Sequence, residues 1–461
     1  MPLVKVFDLG LVSPEAQLYD SPKLIGFING IVSLAVYGIQ DCEEGFGSRF
    51  ARYSLTDHPS DWIQCHIAPE TTPHQLQWTP PLDVSTPEDI IDEMDLLLTG
   101  GRMSEANKGI ISQAYTEKNA SDGQKKAVQY ALSHFAVAPE FQVTNRVFSL
   151  DSTEREERPT VVPELPQSPP PVTDYKAIVY LYFAGGLDSY SVLNPHTCAN
   201  GLNDQFHQIR GNMAVPHNMK LTINSGSIPQ PCTTFGLHPK MSVLQQYFNS
   251  GEASFFSNIG TLVEPLTDST EFEQNSKKLP HGLFAHNIQT SETQSVALDP
   301  TDGGVLGRIG DALNAQADKE VFDAYSIAGT PKVLDGAPGV SRPADVLTEV
   351  GVATFTQSAL SFESNMKKLN KNVASSIFAE TYSEAITTSI GRKNLLEGAI
   401  GDLKLSTSSE TCFDNLKYLE TPIALQLHQV ARIMKQRDSL QSTRSAFYVQ
   451  LSSFDAHGGG K

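Results

Sequence analysis

Lys176-Ala177-Ile178-Val179-Tyr180-Leu181-Tyr182-Phe183 runs directly into Ala184-Gly185-Gly186-Leu187-Asp188-Ser189. The first eight residues form a continuous apolar run, rich in β-branched and aromatic types. Without polar alternation it predicts a central strand buried on both faces, the habit of parallel sheets. Two glycines then let the backbone turn sharply and approach a ligand closely. They present Asp188 at the sheet's edge. Two more apolar runs, 253–259 and 446–451, predict further strands, and the last of them leads into Ser452-Ser453-Phe454-Asp455-Ala456-His457. Helical patterns at 241–248, 362–400 (with breaks) and 423–436 lie between. Strand–helix alternation predicts an α/β fold with a mainly parallel sheet flanked by helices.

Upstream the pattern changes. Residues 151–174 read DSTEREERPTVVPELPQSPPPVTD. Prolines and acids dominate, so the stretch cannot bury much apolar surface and reads as a linker. It divides the chain into a mainly helical domain over 1–150 and an α/β domain over 175–461. In the first, Thr86-Pro87-Glu88-Asp89 opens a helix with proline at its first position and acids in its first turn. Ile90, Ile91, Met94, Leu97 and Leu98 form its apolar stripe, and Gly100-Gly101 stops it. Ser104 caps a second helix carrying Ile110, Ile111, Ala114 and Tyr115. A third spans about 123–137. The small mainly α segment is expected to make few contacts with the chain beyond the linker.

Composition narrows the function classes. The chain has 461 residues, 39% apolar and 19% charged, with a formal net charge of −18. An acidic chain repels phosphate backbones and anionic lipid surfaces, which sets nucleic-acid binding aside. Five cysteines at 42, 65, 198, 232 and 412 form no CxxC pair; one disulfide beside a free thiol is compatible with them, and the compartment stays open. Met1-Pro2-Leu3-Val4-Lys5 is not a signal peptide. The most apolar window, 24–37, is interrupted by Gly26, Asn29, Gly30 and Ser33; a span needs about 20 apolar residues, so this is read as a buried helix and no transmembrane segment is expected.

In open α/β sheets ligands sit beyond the carboxyl ends of strands. Gly185, Gly186 and Asp188 follow one such end. Asp455 and His457 follow another, two residues apart. An aspartate and an imidazole there suit zinc or a similar divalent ion. The plainer readings are a turn-capping aspartate and an ordinary loop pair. His286, Asn287 and Gln289 form a third polar group, read as a loop that orients substrate or as structural hydrogen bonders. His238 reads as a cap for the helix just after it. Arg210 reads as an anion binder or as one half of a salt bridge. Ser189 and Ser191 follow Asp188. GxSxG, HExxH and GxxxxGK[ST] patterns are missing from the sequence, which removes classical lipases, zincins and P-loop NTPases.

In order, these segments carry a resemblance: the strand before Ala184-Gly185-Gly186-Leu187-Asp188, then Gln208-Ile209-Arg210-Gly211, Phe235-Gly236-Leu237-His238-Pro239, Leu283-Phe284-Ala285-His286-Asn287 and Phe454-Asp455-Ala456-His457-Gly458. Over 176–461 the chain resembles domain of unknown function 1501, a sulfatase-like branch of the alkaline phosphatase superfamily. Residues 80–146, with LLLTGGRMS and APEFQVTN, are similar to the C-terminal end of the helical family of domain of unknown function 1800, where Glu140 is expected to cap or pair. The first resemblance implies a sulfatase-like sheet and hydrolysis of phosphate or sulfate esters, on a small molecule or a polymer. It implies a divalent metal (zinc, manganese or calcium) on Asp188, Asp455 and His457. Gly185, Gly186, Arg210, His286 and Asn287 would line the pocket, with Ser189 and His286 as candidate catalytic groups. Two departures stand out. Ala285 replaces the family's serine, and the family's later Ser-Glu-Phe-Gly-Arg-like and Asp-His-Gly-like segments do not occur before Lys461. The chain is therefore expected to be an incomplete, inactive fragment, with the open edge of its last parallel strand prone to association. Relatives are commonly exported, which is implied for the intact parent only. The alternative function is a non-catalytic exported or surface-associated binding protein on the same fold.

Overall fold

The structure is a computed structural model that describes residues 21–37, 78–80, 86–147, 157, 170–214, 219–222, 229–257, 259–280, 282–283, 285–295, 303–316, 322–337, 344–349, 351–355, 361–400 and 421–454. The chain forms two compact units, Met1–Leu181 with Thr301–Val449, and Tyr182–Pro300 with Gln450–Lys461. The compact units therefore do not divide at 151–174, most of which lies outside the described residues.

In the first unit the helices form where their caps and stripes dictate. Thr86 Oγ1 accepts from Asp89 N at the start of helix Pro87–Thr99, and Gly100 ends it in the left-handed conformation. Ser104 caps helix Glu105–Asp122 by accepting from Asn107 N. Helix Gln124–Ala136 comes next. Helix Ser21–Tyr37 buries Leu24, Ile25, Ile28 and Val32. Among the described residues no helix is long and apolar enough to cross a membrane. Leu97, assigned to the buried stripe, is exposed; Ile90, Ile91 and Met94 carry the burial.

These helices share one apolar core with Phe355, Phe362, Met366, Leu369, Tyr382, Ile386 and Ile390. The expected sparse contact between the N-terminal helices and the later chain is thus corrected. Helices Glu363–Leu369 and Ile377–Ile400 supply the apolar surface that the first helices need. Glu140 is fully buried and serves as a cap. It accepts from Ser104 N at 3.3 Å, Ser104 Oγ at 3.2 Å and Asn107 Nδ2 at 2.9 Å.

The strands among the described residues are β1 (Lys176–Phe183), β2 (Leu193–Cys198), β3 (Met219–Thr222), β4 (Cys232–Leu237), β5 (Phe322–Ser326), β6 (Asp345–Val346) and β7 (Arg444–Leu451). One sheet has the order β1-β7-β5-β6. β5 pairs in parallel with β6 and β7. Lys176 N donates to Thr443 O and Ala184 N to Leu451 O, a constant offset that makes β1 parallel to β7. The fold is therefore α/β with a mainly parallel sheet. Tyr325 and Phe447 stack 5.4 Å apart in its centre. Leu396 and Ile400, with Val430 and Ile433 of helix Pro422–Lys435, cover that centre.

Two strand expectations are corrected. β1 is an edge strand, with Ile178, Val179, Leu181 and Phe183 exposed at 49%, 38%, 42% and 37%. β7 is interior, so among the described residues the sheet's edges are β1 and β6 and not the last strand. An apolar run reads alike in either place, because only the number of neighbours differs. The described residues within 253–259 form no strand, and Phe256 and Ile259 are exposed. Helix Val305–Asn314 packs unusually close to the chain at 332–336. A Cβ on Gly304 or Gly307 would collide with the carbonyl oxygens of Lys332 and Asp335.

The second unit holds an antiparallel sheet of order β2-β4-β3. Its described fully buried apolar side chains are few: Phe206, Leu221, Cys232 and Leu237. A disulfide joins Cys198 to Cys232 across β2 and β4.

Candidate functional site

Beyond Phe183 the chain turns through Gly185 and Gly186, with φ of 93° and 77°. Side chains other than glycine rarely adopt these values. Asp188 then opens a short 3₁₀ turn, Ser189–Ser191, and its carboxylate binds that turn. Tyr190 N donates to Oδ1 at 3.2 Å, and Ser191 Oγ donates to Oδ2 at 2.7 Å. Arg210, at the end of helix Leu202–Arg210, donates from Nη2 to the same Oδ2 in a partly buried ion pair. Arg210 Nε is also buried and has no hydrogen-bond partner. Partial burial works to raise the Asp188 carboxyl. The hydrogen bonds from Ser191 and Arg210, with the Arg210 charge, outweigh it and hold the group below the usual carboxylate range.

His286 is exposed and opens helix His286–Ser295, so the polar loop expected at 286–289 is a helix start instead. A Cβ on Gly186 would lie 3.7 Å from His286 Cε1. The glycine turn and the imidazole are therefore neighbours. Asn287 is exposed beside it. Further along this helix Thr290 Oγ1 hydrogen-bonds Tyr182 Oη at 3.0 Å. His238 accepts from Lys240 N at 3.2 Å, which closes the turn ahead of helix Ser242–Asn249. Ser189 is exposed next to Asp188.

Gly185, Gly186, Asp188, Ser189, Arg210 and His286 are thus brought into one locality. Asp455 and His457 lie outside the described residues. The strand ends that lead to the two predicted loops are nonetheless adjacent. Ala184 N bonds Leu451 O at 2.9 Å, and the rings of Phe183 and Phe454 meet edge to face at 5.3 Å. Among the described residues no three His, Cys, Asp or Glu side chains gather as a metal site. In the present arrangement a guanidinium sits on Asp188 Oδ2 and an N–H on Oδ1, so a divalent cation on Oδ2 would have to displace Arg210. Sequence reading gave Arg210 a salt bridge but not Asp188 as its partner. Nothing in a separation of 22 residues reveals that strand and helix return to the same point.

No family model, no curated protein and no solved structure matches this chain.

Proposed function

We propose that the loop after β1 is the anion-recognising part of a sulfatase-like hydrolytic site for phosphate or sulfate esters. The observation that supports it is the Arg210 guanidinium held against Asp188 and Ser191 at the carboxyl end of a parallel strand. Arg210 keeps an unsatisfied but buried Nε–H, and a tetrahedral oxyanion that draws the side chain away from Asp188 accepts from such a fork at two points. An incoming ester competes with Asp188 for the guanidinium. Ser191 already directs its proton at Asp188, so carboxylate and hydroxyl form a base–nucleophile pair once the ester neutralises Arg210. His286 beside Gly186 is placed to serve the leaving group. A metal on Asp188, with Asp455 and His457, would require Arg210 to leave Oδ2.

The second reading is a non-catalytic binding protein. The same ion pair favours it, because Asp188 is already neutralised and its hydrogen bonds are internal. The two readings separate in one assay of the purified chain with aryl phosphate and aryl sulfate esters, with and without added zinc or manganese. The chain as it stands is expected to hydrolyse them poorly, and whatever turnover it shows should fall at least 100-fold in Arg210→Gln and in Ser191→Ala. Turnover that neither change affects would remove the site. Anion binding without turnover would select the second reading.

A further inference from the structure

The residues that deliver Arg210 to Asp188 form a closed excursion. From the 3₁₀ turn Ser189–Ser191 the chain leaves along β2, reverses at 199–201, and returns along helix Leu202–Arg210. At the near end the excursion closes through the Asp188–Arg210 ion pair. At the far end it closes through Cys198–Cys232.

The far end is the irregular one. β2 pairs regularly with β4 at Leu193↔Leu237 and Asn194↔Gly236, but the register slips between Pro195 and Thr197 and again between Thr197 and Cys198. Pro195 has no N–H to give the ladder. The subsequent reversal puts Asn200 and Gly201 in succession at φ 67° and 68°. A left-handed non-glycine residue persists only where its surroundings over-determine it. The described non-covalent ties are few and mostly made by side chains: Thr234 Oγ1 donates to Thr197 Oγ1 at 2.7 Å, and Thr233 Oγ1 to Thr197 O at 3.2 Å. Ala199 N bonds Pro231 O at 3.3 Å, Asn203 Nδ2 bonds Pro195 O at 2.9 Å, and the rings of Tyr190 and Phe206 lie 6.3 Å apart. Few buried apolar side chains lie behind them, the situation in which a covalent staple contributes most.

We propose that the Cys198–Cys232 disulfide is a redox latch on the anion site, holding helix Leu202–Arg210 so that Arg210 meets Asp188 when oxidised and releasing it when reduced. This regulation rests on the anion-site reading given above. Cys198 is half-buried and Cys232 is 2% exposed. A dithiol therefore attacks the Cys198 sulfur first. The Sγ–Sγ bond breaks, Cys232 leaves as thiolate and takes a proton, and a mixed disulfide forms on Cys198. The reductant's second thiolate then displaces Cys198, which is protonated in turn. The protein gains two electrons and two protons, and the dithiol becomes its cyclic disulfide. Arg210 acts here through its position, and the cysteines are positioning residues.

The test uses the full chain, oxidised or treated with dithiothreitol. One arm measures the dissociation constant for inorganic sulfate by calorimetry, with Arg210→Gln as the reference for a lost site. The other follows phenylglyoxal modification of Arg210 by peptide mass mapping, which needs no ligand. Reduction is expected to weaken sulfate at least tenfold and to speed modification of Arg210 by a similar factor, and re-oxidation to reverse both. The Cys198→Ser/Cys232→Ser double variant should match the reduced chain without reductant. If it does not fold, dithiothreitol on the unaltered chain decides. Faster labelling without sulfate binding in either state supports the latch and overturns the anion reading. Sulfate binding and labelling that ignore the redox state overturn the latch and leave the anion reading standing.

Discussion

His134 is fully buried between Tyr130 and Phe362, its ring centroid 4.5 Å and 4.7 Å from theirs. Nδ1 lies 2.7 Å from Tyr130 O, so it carries the proton, and Nε2 then accepts from Asn365 Nδ2 at 3.1 Å. Burial pushes its pKa down from 6.5 to about 4, against the opposing pull of the Tyr130 carbonyl. The neutral ring is the folded form, so stability is full above pH 6.5 and declines as pH falls towards 4. The total loss is about 3 kcal/mol. Urea unfolding at stepped pH should show this decline, and His134→Gln should flatten it. A variant that keeps the slope would place the titration elsewhere. At this scale the sequence was legible where a residue's neighbours are local. Glu140 was readable as a cap, Gly185 and Gly186 as a turn, and Ser104 as a helix start. Asp188 was readable as the cap of its turn but not as half of an ion pair, because Arg210 arrives from another element.

The buried ion pair between Arg392 and Asp345 ties helix Ile377–Ile400 to β6. Nε donates to Oδ1 at 2.8 Å, and both side chains are 8% exposed. Asp345→Ala leaves a guanidinium in the core without its carboxylate and should cost about 3–5 kcal/mol. The double change Asp345→Ala/Arg392→Met should recover most of that in the same urea titration. If the single change is as mild as the double one, the pair is not buried as described. Elements announced by an uninterrupted apolar run, β1 and β7, were found from sequence. β5 was not, since Asp323 and Ser326 break its run while lying buried in the sheet. β2 hides for the same reason, with Asn194, Pro195 and His196 in its middle. The rank of a strand within its sheet was illegible, as β1 shows. Its apolar edge, free of charge from Ala177 to Phe183, is the kind of surface that invites pairing with another chain.

The first unit is built from both ends of the sequence. Its described helices before residue 150 have their core partners at 355–390. Glu157 pairs with Lys371, and Val172 N donates to Asp438 Oδ1 at 2.7 Å, so the described parts of the proline-rich stretch are fastened to later chain. Proteolysis is still expected to cut first between about 151 and 174, where composition disfavours structure. The two pieces should nevertheless co-elute in size-exclusion chromatography and part only in denaturant. Separation under native conditions would mean that the shared core is too weak to hold them. The same arrangement sets a timetable during synthesis. At roughly 5–20 residues per second, helices finished by Val137 wait roughly 13–50 s for Ile390 to leave the ribosome. Through that interval Ile91, Ile111 and Phe135 have no surface from 355–390 to close on. Slowing translation between 140 and 390 should accordingly lower the soluble yield rather than raise it.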